Sequence, residues 1–198
     1  MSRREKSVLC TKGAKSQSPG SRTTLGHAVS VNLPRTGLHH QNSAGYVMPQ
    51  SLAQIYLHIV FSTKDRRPFL QDPAIRDEMH NYLGGICNNV HCPVLRVGGV
   101  ADHVHLLCRF GRTITVADSL QELKRESSKW IKTKFTSLND FHWQNGYGTF
   151  SISPGHVEPV RSYIATQEEH HRKITFQDEL RHLLTKYGLE WDERYVWD

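Results

Sequence analysis

His103 and His105 stand one residue apart, and Tyr163 and Gln167 stand four apart. Alternate side chains of a strand share a face, so His103 and His105 point one way while Val104 and Leu106 point the other. Two imidazoles on one open sheet face can chelate a metal ion. On a helix, the spacing from i to i+4 puts the Tyr163 hydroxyl and the Gln167 amide on one side. Taken singly, each pair has an ordinary structural explanation: strand histidines hydrogen-bonded to neighbours, and a partly buried tyrosine beside a glutamine. Asp102 has two readings, either orienting a histidine as an acceptor or serving the turn at Gly98-Gly99.

The elements that must position these groups follow from the pattern. Residues 54–63 read as a strand, broken by Lys64-Asp65-Arg66-Arg67-Pro68. Asp72-Pro73 reads as an N-cap with Pro at the first helical position, opening a helix toward Asn89. Residues 93–97 form a second strand, Gly98-Gly99 turns the chain, and 103–110 return antiparallel to it. A second helix spans 115–135, with Val116, Leu120, Leu123, Ile131 and Phe135 on one stripe. A loop with Asn145-Gly146 leads to a fourth strand at 147–153, and helices follow at 157–171 and 176–187. This order predicts an α+β, ferredoxin-like split βαβ fold: a four-stranded antiparallel sheet with two helices on one face and an appended C-terminal helix carrying Tyr163.

Of 198 residues, 37% are hydrophobic and 22% charged, a balance that supports a packed core. The net charge of +6 does not belong to the part expected to fold. Residues 1–47 hold seven Lys or Arg against Glu5 alone, and residues 48–198 hold eighteen of each sign. Any basic surface on the domain must therefore come from local clustering. Residues 1–47, rich in Ser, Thr, Gly, Lys and Arg, read as a disordered basic tail, with Met48 as a candidate start of a domain over 48–198. No apolar run approaches the ~20 residues of a membrane span. No hydrophobic segment follows Arg3-Arg4 as a signal would require. Cys10, Cys87, Cys92 and Cys108 fit neither a disulfide framework nor zinc knuckles, so a cytoplasmic protein with reduced thiols is expected.

Together these motifs resemble the HUH single-tyrosine transposases, the insertion-sequence-200-like family that includes the REP-associated tyrosine transposases. The resemblance covers nearly all of 48–198. It rests on Leu57-His58-Ile59-Val60-Phe61-Ser62-Thr63, on Gly99-Val100-Ala101-Asp102-His103-Val104-His105-Leu106-Leu107, on Trp143-Gln144-Asn145-Gly146-Tyr147, and on Tyr163-Ile164 with Gln167, followed by His170-His171. It implies Tyr163 as a nucleophile that attacks single-stranded DNA, leaving a 5′-phosphotyrosine and a free 3′-hydroxyl. It implies His103, His105 and Gln167 as ligands of Mg2+ or Mn2+. It further implies hairpin DNA ends as substrate, a bacterial cytoplasmic setting, and a homodimer in which the Tyr163 helix of one subunit serves the histidine pair of the other.

The chemistry is compatible with those implied roles. Three neutral ligands leave the charge of a divalent ion free to polarise a phosphate oxygen. Neutral ligands also hold hard cations weakly, so occupancy is expected to depend on the DNA phosphate. The Tyr163 phenol, with a reference pKa of about 10, needs help to ionise. A covalent intermediate keeps the phosphodiester energy and suits rejoining better than hydrolysis.

Candidate DNA contacts are Arg66, Arg67 and Arg112 on loops and Lys124, Arg125, Lys129 and Lys132 along the second helix, diluted there by Glu122 and Glu126. His170 and His171 are expected to face solvent or cap the helix. Two rival readings exist. A non-catalytic RRM-like module for single-stranded nucleic acid should carry stacking aromatics where the third strand has His103, His105 and Leu107. A metal-dependent phosphoesterase without a covalent step leaves Tyr163 without a task.

Overall fold

The computed structural model describes residues 52–197; the tail expected over 1–47 lies outside them. The elements run β1 (Ile55–Ser62), α1 (Pro73–Asn89), β2 (Val94–Gly99), β3 (His103–Phe110), α2 (Val116–Lys134), β4 (Gly148–Ile152), α3 (Val157–Ala165), α4 (Gln167–His170) and α5 (Phe176–Lys186). All strand pairs are antiparallel and the spatial order is β2-β3-β1-β4. The two strands with apolar residues on both faces, β1 and β3, thus take the centre. This is the split βαβ arrangement that the sequence predicts.

Local signals start the helices. Asp72 accepts a hydrogen bond from the Ala74 amide at 2.8 Å ahead of Pro73. Thr115 and Thr175 do the same for Asp118 and Asp178 at the heads of α2 and α5, each relieving one orphan amide. Gly188, at φ +65°, follows α5 in the left-handed conformation that closes a helix.

Strand alternation then divides the sheet into two different faces. One carries Leu57, Ile59, Phe61, Val104, Leu106 and Cys108, packed under Met79 and Leu83 of α1 and Leu120, Leu123 and Ile131 of α2. Each such buried side chain contributes ~1.5–3 kcal/mol of hydrophobic free energy. The other face carries His58, Val60, His103, His105, Leu107, Phe150 and Ile152, and is covered by Ile164 of α3 and by Phe176, Leu180 and Leu184 of α5. The appended helices therefore form a third layer over the histidine face. Cys87, Cys92 and Cys108 are buried free thiols. Among the described residues no helix is long and apolar enough to cross a membrane.

Two sequence expectations are corrected. Gly98-Gly99 is not the turn, because β2 runs through Gly99 and residues 100–102 make the connection, with the Val100 amide donating to the His103 carbonyl at 3.1 Å. The glycines serve close approach instead: a Cβ on Gly98 would meet the backbone of Ile164, and one on Gly99, at φ +150°, would meet the His103 carbonyl oxygen. The helix expected over 157–171 is also interrupted. α3 stops at Ala165, Thr166 leaves helical geometry at φ −107°, ψ 20°, and α4 is only four residues long.

Candidate active site

β3 delivers His103 and His105, both fully buried, onto the face covered by α3 and α5. Each imidazole is oriented through its Nδ1. His103 Nδ1 lies 2.7 Å from Asp102 Oδ1, so Asp102 takes the orienting role. His105 Nδ1 lies 2.9 Å from His58 Nε2. The β1–β3 register explains the second contact: His105 stands opposite Val60, which places His58 two residues away on the same face as its diagonal neighbour. Burial is the main cause that lowers the pKa of His58 to about 3 and of His105 to about 4, so both rings are neutral at pH 7. The Nε2 atoms of His103 and His105 are left aimed at the interior of the site.

There they meet Glu179, an acid on the apolar stripe of α5 that is only 2% exposed. Its Oε2 lies 3.5 Å from His103 Nε2, 3.3 Å from His105 Nε2 and 3.1 Å from His171 Nε2. Its Oε1 accepts from Gln167 Nε2 at 2.9 Å and from the Tyr163 hydroxyl. The break at Thr166 does not part Tyr163 from Gln167, because one carboxylate oxygen holds both. Burial alone would raise the Glu179 pKa; the imidazoles of His105 and His171 outweigh it and hold the carboxyl far below the usual range. Burial, and then the Glu179 charge, push the Tyr163 phenol above its ordinary value. The resting site thus pairs an ionised carboxylate with a protonated phenol.

The donor set fits a divalent metal ion. Among the buried polar atoms without a hydrogen-bond partner are His103 Nε2, His105 Nε2 and Gln167 Oε1, one from each residue that the sequence singles out as a ligand. The two imidazole nitrogens meet only Glu179 Oε2, at 3.5 and 3.3 Å, so three buried polar atoms are under-satisfied, which is costly unless something binds them. One donor atom from each of His103, His105, His171 and Glu179 also fall within 4.8 Å of one another. Those four side chains could hold a metal, with a mix of imidazole and carboxylate that several divalent ions accept.

Four residues of this cluster escape the sequence reading. His171, expected at the surface, turns inward, with Nδ1 on the Ile174 carbonyl at 2.9 Å; His170 Nε2 is likewise buried, 3.7 Å from Glu179 Oε1. Glu179 was signalled only by being an acid within the stripe of Phe176, Leu180 and Leu184. His58 was signalled only by its register with Val60.

The expected DNA contacts are dispersed. Lys124 donates to the carbonyls of Gln144, Asn145 and Gly146 at 2.8, 3.0 and 2.8 Å, so its ammonium closes a loop. Arg125 pairs with Glu122 and Glu126, Arg67 with Asp140, and Arg66 lies over the Trp197 ring. Lys132 is 3.4 Å from His142, and Lys129 and Arg112 are exposed. The RRM-like alternative needs an open aromatic sheet face, whereas here α3 and α5 cover that face and it carries histidines.

A family model described as "Transposase IS200 like" matches residues 51–167. No curated protein matches the chain. Among solved structures, the chain is similar to a candidate transposase from Deinococcus radiodurans R1, at 21% identity and a TM-score of 0.50, over 61% of this chain and 95% of that one. It is also similar to a REP-associated tyrosine transposase bound to a REP hairpin, at 14% identity and a TM-score of 0.47, over 76% of this chain and 93% of that one.

Proposed function

Since this chain belongs to the insertion-sequence-200-like transposase family, we propose that it cleaves and rejoins single-stranded DNA at hairpin ends, with Tyr163 as nucleophile and Mg2+ or Mn2+ as cofactor. The observation that carries the reading is that Tyr163, Gln167, His103 and His105 converge on one buried carboxylate while three of their polar atoms lack a well-formed hydrogen bond.

In this reading His103, His105, Gln167 and Glu179 hold the metal, with His171 beside them. Bound there, the ion supplies positive charge to a non-bridging phosphate oxygen. Asp102 and His58 fix the two ring orientations, so the ligand lone pairs are preset. Glu179 Oε1 orients the Tyr163 hydroxyl by accepting its hydrogen bond, and Tyr163 gives its phenolic proton to solvent as it attacks phosphorus. The bond from Tyr163 Oη to phosphorus forms as the bond from phosphorus to O3′ breaks, and O3′ leaves with the electron pair and takes a proton from solvent. Attack by another 3′-hydroxyl reverses these steps and releases Tyr163.

Tyr163 reaches the cluster of its own chain, so a single subunit contains all the groups named. A homodimer that exchanges the Tyr163 helix between subunits remains a proposal of the family resemblance, read by mixing Tyr163→Phe and His103→Ala subunits and looking for restored cleavage.

The test is covalent trapping on labelled hairpin DNA with Mn2+. A denaturing gel should show a shifted band for the wild type and none for Tyr163→Phe, with DNA binding retained in both. A band that survives in Tyr163→Phe overturns the nucleophile. Cleavage without any band favours the phosphoesterase reading.

A further inference from the structure

Beside the nucleophile lies a cavity of about 640 Å³ that the chemistry above does not use, bounded by β4, α3 and α5. Its inner end is Tyr163 and Glu179, and the imidazoles and carboxylate oxygen of the candidate metal cluster lie beyond them. Its walls combine two kinds of surface. Ile152, Val160, Leu183 and the Tyr187 ring supply apolar and aromatic area. His156, His182 and Lys186 supply nitrogen donors. The Tyr187 ring is held against Phe150, with centroids 4.7 Å apart, so it presents a fixed platform.

A ring surface flanked by a cation, Lys186, and by imidazole nitrogens suits an unstacked nucleotide of a single strand: the base packs on the ring and the phosphate meets the nitrogens. The volume falls in the range of small-ligand sites. Position selects which nucleotide. In an in-line displacement the attacking and leaving oxygens lie on opposite sides of phosphorus. The strand ending in O3′ therefore departs on the side away from Tyr163, whereas the nucleotide that stays joined through its 5′-phosphate hangs from an equatorial oxygen, nearer the tyrosine and the cavity that Tyr163 lines.

We infer that this cavity holds the base of the nucleotide on the 3′ side of the scissile phosphate, the one retained on Tyr163, with Lys186 and His182 at its mouth meeting the next phosphate. The inference rests on the function proposed above and adds to it a binding site for one end of the cut strand. Val160→Trp fills the cavity from α3 without touching the metal cluster, and Lys186→Ala removes an exposed cation.

The probes are short homopolymeric oligodeoxynucleotides of each base, phosphorylated at either the 5′ or the 3′ end. Binding is read by fluorescence anisotropy with Mn2+ present, on a Tyr163→Phe background so that nothing is cut. For at least one base, the 5′-phosphorylated strand should bind about tenfold more tightly than its 3′-phosphorylated isomer, and Val160→Trp should erase that preference. Lys186→Ala should reduce it and flatten its salt dependence while leaving the melting temperature unchanged. Equal binding of the two isomers, or a preference indifferent to Val160→Trp in protein that melts normally, overturns the assignment. The two readings fail separately. Tyrosine-dependent trapping with binding indifferent to Val160→Trp removes the cavity alone, whereas a 5′-preference lost in Val160→Trp without any trapping removes the cleavage chemistry and keeps a nucleotide site.

Discussion

Gly98 lies so close to Ile164 that a Cβ at position 98 would sit 2.5 Å from the Ile164 carbonyl oxygen and 2.8 Å from its Cγ2. That contact sets the height of α3 above the sheet, and Tyr163 is the residue next to Ile164. The missing side chain is thus a condition for placing the nucleophile over His103 and His105.

Gly98→Ala should push α3 away from β2. Overpacking of this kind costs ~1–3 kcal/mol, and trapping of DNA on Tyr163 should fall further than the lost stability explains. Gly85→Ala is the matched control: a Cβ there meets nothing within 4 Å on α1, so it should stabilise by ~0.5–1 kcal/mol through helix propensity. Urea melts of both variants beside trapping yields decide the matter. Equal trapping at equal folded fraction would show that α3 is positioned by something else.

The elements were legible because their signals are local. The N-cap at Asp72, the alternation at 103–110 and the stripe along α2 each lie within one stretch of chain. His103, His105, Tyr163 and Gln167 were legible as residue types at informative spacings. Glu179, His171 and His58 were not, because each enters the site through long-range packing. Glu179 comes from a helix beyond the family-matched segment, and His58 depends on the register of β1 against β3. Gly98 was misread for the same reason: a glycine needed for an approaching helix has the same sequence signature as one needed for a turn.

Lys124 offers a test of electrostatics read from sequence. Three backbone carbonyls around 144–146 accept from its ammonium, and hydrogen bonds to a charged donor are worth ~1.5–3 kcal/mol each before desolvation is counted. Lys124→Met should lower stability by ~2 kcal/mol and speed amide exchange at 143–147. The slope of DNA affinity against salt should stay unchanged. A slope reduced by about one would instead make Lys124 a phosphate contact.

His80 on α1 fixes part of the acid limb of stability. Burial, with Arg76 nearby, lowers its pKa to about 4. Between the unfolded value of about 6.5 and that folded value, the unfolded chain binds a proton that the folded chain refuses, so stability falls as pH drops through this window. The loss between pH 7 and pH 4.5 should be ~2 kcal/mol for this group. Urea melts of the wild type and His80→Leu at both pH values should show the variant losing less. Parallel losses would assign the acid limb to other groups.

Glu179 changes what metal binding should look like. His103, His105 and Gln167 are neutral and would need a DNA phosphate to hold a hard cation well. Glu179 brings a buried negative charge within 3.5 Å of both strand imidazoles, and carboxylates are the preferred ligands of such ions. Mn2+ should therefore bind the DNA-free protein at one site, read from the decline of the free-ion electron paramagnetic resonance signal. Glu179→Gln, nearly isosteric, should weaken binding about tenfold or more, because ligand charge sets affinity. The pH dependence has a definite sign. Burial opposes protonation of His171, but its contact with Glu179 prevails and its pKa is raised above the ordinary 6.5. Metal entry must displace that proton, so affinity should climb as pH rises through and above 6.5, and less steeply in His171→Asn. Mn2+ affinity that is the same in Glu179→Gln, while His103→Ala abolishes it, would confine Glu179 to holding Tyr163 and Gln167 in place.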